Sequence, residues 1–186
     1  MRYTLTDLQA ACRAGQKFKY LLFWGHTPPS DGSINQSCFS QWWPCRFTAD
    51  GVEYSCTEQY MMAEKARLFN DSGVLAEIME AKHPKTMKAQ GRVVQGFDNE
   101  IWEKHCYDIV KKGNLAKFSQ NAELGLYLIN TNKRILVEAS PVDRVWGIGL
   151  SKDHPSAEDT LKWRGKNLLG FALTEVKQLL QMPQAE

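Results

Sequence analysis

The sequence predicts an α+β fold, a mainly helical single domain with a small β-sheet, and three observations carry that expectation. The chain has 186 residues, about the size of one domain. From Ser55 onward its apolar residues recur at helical spacing in successive blocks. Only three short stretches, 20–24, 47–54 and 134–139, read as strands.

In chain order, residues 1–19 form an accessory extension, with Leu5, Leu8, Ala11 and Cys12 in an amphipathic pattern before the basic Lys17-Phe18-Lys19. The main domain is drawn from 20 to 182. Its first strand is the apolar Tyr20-Leu21-Leu22-Phe23-Trp24, and residues 25–32, rich in Pro, Gly and Ser, make a surface loop and a candidate rim for a site. Asp50-Gly51 between two alternating runs is a hairpin signal. Helical blocks follow at 57–69, 72–80, 85–94, 98–117, 119–130 and 157–180. Asp98 suits an N-cap, and Ile101, Trp102, His105, Ile109 and Ala116 fall on one face, which makes His105 and Trp102 core residues.

Composition bounds the function. Lys+Arg 23 against Asp+Glu 21 leaves a formal net charge of +2, too even for a protein that coats phosphate backbones. Six tryptophans, six tyrosines and eight phenylalanines exceed what a core requires, and flat rings also suit stacking on bases or sugars. No signal-peptide pattern or apolar run of membrane-spanning length occurs, so the chain reads as soluble and cytoplasmic, without a membrane partner. Five cysteines without CxxC spacing read as reduced thiols, and four scattered histidines give no metal motif. Neither metal nor cofactor is expected. Walker A, GxGxxG and GxSxG patterns are absent from the sequence.

The most informative segment runs from Glu58 to Phe69. At about 100° per residue, Glu58, Met62, Lys65 and Phe69 share a narrow wedge, while Tyr60, Glu64 and Arg67 point away. Ion burial is costly, so an acid and a lysine on an apolar stripe mark a candidate site, and a desolvated lysine has a depressed pKa. Two structural readings compete: Ser55-Cys56-Thr57-Glu58 fits a capping box, and Lys65 can run its stem along apolar surface to water. Trp146-Gly147-Ile148-Gly149, after Asp143-Arg144, pairs an aromatic face with two glycines that admit a ligand, or is an ordinary Trp-anchored turn. Lys82, Lys85, Lys88 and Arg92 form a local basic stretch, either a solvated helix face or a phosphate seat.

A further set of residues completes a pattern: Phe39-Ser40-Gln41-Trp42 with Pro44, the Asp50-Gly51 hairpin, Glu58-Gln59-Tyr60 then Lys65, Trp102, Ala116-Lys117-Phe118, Leu136-Val137-Glu138-Ala139-Ser140, Asp143, Trp146-Gly147, and Asn167-Leu168-Leu169-Gly170. Taken in order from about Phe23 to Leu180, they resemble the YbiA/NADAR family. The chain departs from some relatives at Gln41-Trp42, where they carry Asn-Phe, and at Gln59, where they carry His; the larger Trp42 reshapes a pocket.

The resemblance implies a mainly helical α+β fold, no metal, and hydrolysis of the N-glycosidic bond of ribosylated nitrogen compounds. The substrate class it implies is a small nucleotide-like molecule, either ADP-ribose on guanine, free or in DNA, or a ribosylaminopyrimidine phosphate of riboflavin synthesis. By the same resemblance Lys65 is the nucleophile, through a Schiff base to C1′, with Glu58 and Asp143 as catalytic carboxylates. Trp42 and Trp146 wall the substrate, Arg92, Arg144 and Asn167 hold phosphate or ribose oxygens, and Phe39, Ser40, Gly147 and Gly149 complete the binding set. The competing class is a non-catalytic module that reads ADP-ribose with the same tryptophans.

Overall fold

The computed structural model describes residues 3–182; Met1 and Arg2 of the expected N-terminal extension lie outside the described residues. In chain order these form α1 (Leu5–Arg13), β1 (Tyr20–Phe23), a 3₁₀ turn (Gln36–Phe39), β2 (Phe47–Ala49), β3 (Val52–Tyr54), α2 (Thr57–Leu68), α3 (Ser72–Glu80), α4 (Pro84–Gly91), α5 (Asn99–Gln120), α6 (Ala122–Ile129), β4 (Ile135–Glu138), a second 3₁₀ turn (Thr160–Lys162) and α7 (Leu168–Gln181). The mainly helical α+β class is what forms, with two two-stranded sheets among the described residues. They divide into two compact units, one from the residues up to Ser40 together with Ala122 onward, the other from Gln41 to Asn121.

In the first unit β1 and β4 pair in parallel, Tyr20 opposite Ile135 and Phe23 opposite Glu138. A parallel pair requires a long crossover, and here it is everything between Phe23 and Ile135. Ile135, Leu136 and Val137 are all buried, the pattern of a strand covered on both faces, and α7 packs on them, the Thr174 hydroxyl accepting from the Leu136 N–H at 3.1 Å. Gly170 permits that approach, because a Cβ there would run into the Leu136 carbonyl. The N-terminal extension belongs to this unit: Tyr3 stacks on Phe171 with centroids 6.2 Å apart, and Gln9 Nε2 donates to the Thr160 carbonyl at 3.1 Å.

In the second unit the expected hairpin forms, with Asp50 at φ 50° and Gly51 at φ 78°, the backbone a tight two-residue turn requires. Helix α2 packs against α3, α4 and α5 and is enclosed on nearly every side. Tyr60 therefore does not point away from the core, as its wheel position predicts. It is 1% exposed and meets Tyr54 edge-on at 5.1 Å.

The face read for α5 is also displaced. Ile101 and His105 are exposed and Trp102 half-buried, whereas Tyr107, Val110, Gly113, Asn114, Lys117 and Phe118 are buried. Half of that face is Gly, Asn and Lys, so apolar periodicity pointed to its neighbour. Likewise 157–167 is loop and 3₁₀ turn rather than helix, its apolar residues anchored by Trp163 Nε1 donating to the Ala157 carbonyl at 2.8 Å. No helix among the described residues is long and apolar enough to cross a membrane.

Candidate active site

At the start of α2 the capping box does not form. Cys56 is the N-cap and supplies no side-chain bond, while the Ser55 N–H and hydroxyl both donate to Gln59 Oε1, at 2.8 and 2.9 Å. Gln59 Nε2 donates in turn to the carbonyls of Ile78 and Met79 at 3.2 Å each, joining α2 to α3. Gln59 thus takes the role expected of Glu58. The helix end is satisfied instead by the Gln41 carbonyl, which accepts from the Glu58 N–H at 2.9 Å and the Thr57 hydroxyl at 3.1 Å. Gln41 is itself held by Asn114 Nδ2, which donates to its Oε1 at 2.9 Å. Glu58, not needed as a cap, is 4% exposed.

Lys65 lies two turns further along the same face, about 10 Å along the axis. Helical side chains lean toward the N-terminus, so its stem leans in the direction of Glu58. Its Nζ donates to the Gly91 carbonyl at 2.6 Å and lies 4.1 Å from the Phe97 ring centroid and 5.6 Å from that of Trp102. The amine thus faces two aromatic rings, and Phe69 meets the nearer one, Phe97, edge-on at 5.3 Å. Burial, then the like charge of Arg92, holds the Lys65 amine below the ordinary lysine range. No carboxylate pairs with it among the described residues.

Elsewhere in this unit, Trp42 is half-buried and edge-on to His83 at 6.2 Å. Lys82, Lys85 and Arg92 are exposed and Lys88 half-buried, with the His83 ring accepting from the Lys85 N–H at 3.1 Å to cap α4.

In the first unit Asp143, Arg144, Trp146, Gly147 and Gly149 lie in one loop. Asp143 Oδ1 accepts from the N–H groups of Val145 and Trp146, both at 2.8 Å, and its carbonyl accepts from Gly149 at 3.0 Å. A Cβ at Gly147 would stand 2.8 Å from the Glu138 carbonyl, and Gly149 has φ 67°. Both glycines are needed to fold the loop. Arg144 is exposed and Trp146 half-buried.

Two of the expected binding residues are enclosed instead. Phe39 is fully buried between Phe23 and Tyr127, with centroids 5.5 and 5.6 Å away, while Ser40 ends the first 3₁₀ turn half-buried. Asn167, also fully buried and left-handed at φ 54°, donates through Nδ2 to the Leu136 carbonyl and accepts through Oδ1 from the Glu138 N–H, each at 3.0 Å. Its amide thereby ties the start of α7 to β4. Sequence reasoning missed Gln41 and Asn114 behind Glu58, and Phe97 against Lys65. Apolar periodicity does not single out Phe97, which stands among Gln95, Gly96, Asp98 and Asn99.

Among the described residues no three His, Cys, Asp or Glu side chains gather as a metal site. A family model, the NADAR domain, matches residues 22–181. The chain is 42% identical over 165 residues to N-glycosidase R617 of Acanthamoeba polyphaga mimivirus, covering 86% of this chain and 95% of that protein. It is 35% identical over 158 residues to protein irg-1 of Caenorhabditis elegans, covering 76% and 74%. Against N-glycosidase YbiA of Escherichia coli K12 it is 31% identical over 138 residues, covering 74% and 76%. The NMR structure of the E. coli protein YbiA superposes with a TM-score of 0.70 at 26% identity, covering 89% of this chain and 86% of that one.

Proposed function

We propose that this chain, which belongs to the NADAR domain family and, like its relatives named N-glycosidase, is a hydrolase acting on N-glycosyl compounds, cleaves the C1′–N bond of a phosphorylated riboside with Lys65 as nucleophile. The observation that carries this reading is the Lys65 amine, pushed toward its neutral, nucleophilic form by burial and by Arg92, on the same helix face as a buried carboxylate.

The chemistry balances without a cofactor. An N-riboside opens to an imine at C1′, to which the neutral Lys65 amine adds. The C1′–N bond to the base then breaks, its electron pair leaves on nitrogen, and Glu58 supplies the proton that nitrogen takes. The C1′=Nζ imine that remains is attacked by water, Glu58 now accepting a proton, and expulsion of the lysine amine releases the sugar. Arg92, beside Lys65, is the phosphate contact in this reading. The leaving group is a planar base suited to the rings around Lys65, with guanine bearing ADP-ribose and ribosylaminopyrimidine phosphate as the two substrates to compare.

In the first unit, Asp143 Oδ1 accepts from the Val145 and Trp146 N–H groups, so Asp143 is proposed as the residue that holds the loop carrying Arg144 and Trp146, the substrate-binding residues that the sequence suggests. Borohydride added during turnover tests the covalent step: a sugar adduct on Lys65 should appear by mass spectrometry with one of the two substrates. Lys65→Ala should form no adduct and lose at least about a hundredfold in kcat. Undiminished turnover by Lys65→Ala would end the proposal.

A further inference from the structure

The first unit contains a cavity that the reaction does not use. It measures about 450 Å³, and its walls include Tyr3, Asn132, Lys133, Arg134, Lys177 and Gln178. Three of its lining residues are cations and none is an acid.

Lys177 is the unusual member. It is 3% exposed, and its Nζ donates to the Arg134 carbonyl at 2.6 Å and to the Thr131 hydroxyl oxygen at 3.1 Å, both neutral acceptors. Among the described residues no carboxylate pairs with Lys177, Lys133 or Arg134. Buried ammonium groups are costly unless a counter-charge is close, and the Arg134 guanidinium adds repulsion to burial, bringing Lys177 down to about 8. Carbonyls near the ends of α6 and α7 offset part of one positive charge but not three. The Tyr3 hydroxyl accepts from Gln178 Nε2 at 2.8 Å, which leaves its own proton for a further acceptor.

We infer that this cavity binds a small phosphate-bearing anion. Arg134 offers the planar fork that phosphate oxygens match, Lys133 and Lys177 supply the remaining charge, and the volume lies in the range of small-ligand pockets. An anion there would supply the missing counter-charge to all three cations at once.

Calorimetric titration of the full chain with pyrophosphate tests this, with amide shifts followed by NMR in parallel. One saturable site is expected, with shifts confined to residues around 131–135 and 174–178. It should persist in Lys65→Ala/Arg92→Ala and weaken at least about tenfold in Lys133→Ala/Arg134→Ala. Because Arg134 also borders a neighbouring 370 Å³ cavity beside Asp153, Lys177→Met, which touches only the first, should weaken binding as well. Lys133 is exposed and also borders only the first cavity, so Lys133→Ala keeps the test decisive even where Lys177→Met fails to fold. Absence of saturable binding, binding unchanged in the Lys133/Arg134 variant, or binding lost with Lys65 and Arg92 would each overturn the inference.

Discussion

In the proposed reaction Lys65 draws its reactivity from burial and from three neighbours of one amine: the Gly91 carbonyl that holds it, the Phe97 ring beside it, and Arg92, whose charge disfavours protonation. If the neutral amine attacks, as proposed, the rate should rise with pH through the folded-state pKa of Lys65. Arg92→Ala removes the like charge, so the rising limb of the kcat/KM profile should move to higher pH, and a limb that stays in place would show that Arg92 does not tune the amine.

Lys177 gives a second residue-scale prediction. Its pKa is lowered to about 8 in the fold, against about 10.5 in the unfolded chain, so between these values the unfolded state binds more protons and stability rises with pH. Denaturation across that window should show wild type gaining on the order of 3 kcal/mol relative to Lys177→Met. Glu58 and Lys65 were legible in the sequence because seven residues make nearly two whole turns. Gln41, Asn114 and Phe97 were not, because each meets its partner only after folding. The bonds of Asn167 to β4 were not legible, because sequence does not show the left-handed backbone that turns its amide onto that strand.

Elements α2 and α5 meet where Gly113 faces the Tyr60 ring. A Cβ at 113 would lie 2.5 Å from Tyr60 Cδ1, and that ring is locked between Tyr54 and Phe47. Gly113→Ala should therefore destabilise by about 1–2 kcal/mol in urea, overpacking outweighing the gain in helix propensity. Asn167, at the junction of β4 and α7, separates two causes. Asn167→Ala loses both bonds to β4 and strains the backbone, for a loss of about 3 kcal/mol, while Asn167→Gly tolerates φ 54° and should lose measurably less. Equal losses would mean that the left-handed backbone contributes nothing.

The hairpin was plain at this scale because Asp-Gly dictates its own turn. The last predicted helix was half wrong because Ala157, Leu161 and Trp163 space like a helix while serving a loop.

For the molecule as a whole, the mainly helical α+β class followed from chain length and periodicity. The division into two units did not, since no Gly- or Pro-rich linker marks the changes at Ser40 or Asn121, and one unit is assembled from two separated stretches. Near-neutral charge bears on whole-molecule behaviour toward DNA: with a net +2, only a phosphate or two beyond the modified nucleotide should be held. KM for an ADP-ribosylated oligonucleotide should then change only about tenfold between roughly 50 and 200 mM salt, and a thousandfold change would show an extended basic interface.

The interrupted unit also sets an order of events during synthesis. Tyr20 must wait for Ile135 before its strand has a partner, so the nascent β1 edge stays open until the whole middle segment has left the ribosome. Residues 41–121 are contiguous and rich in local contacts, and they can condense first, shortening the effective loop that the parallel pair must close.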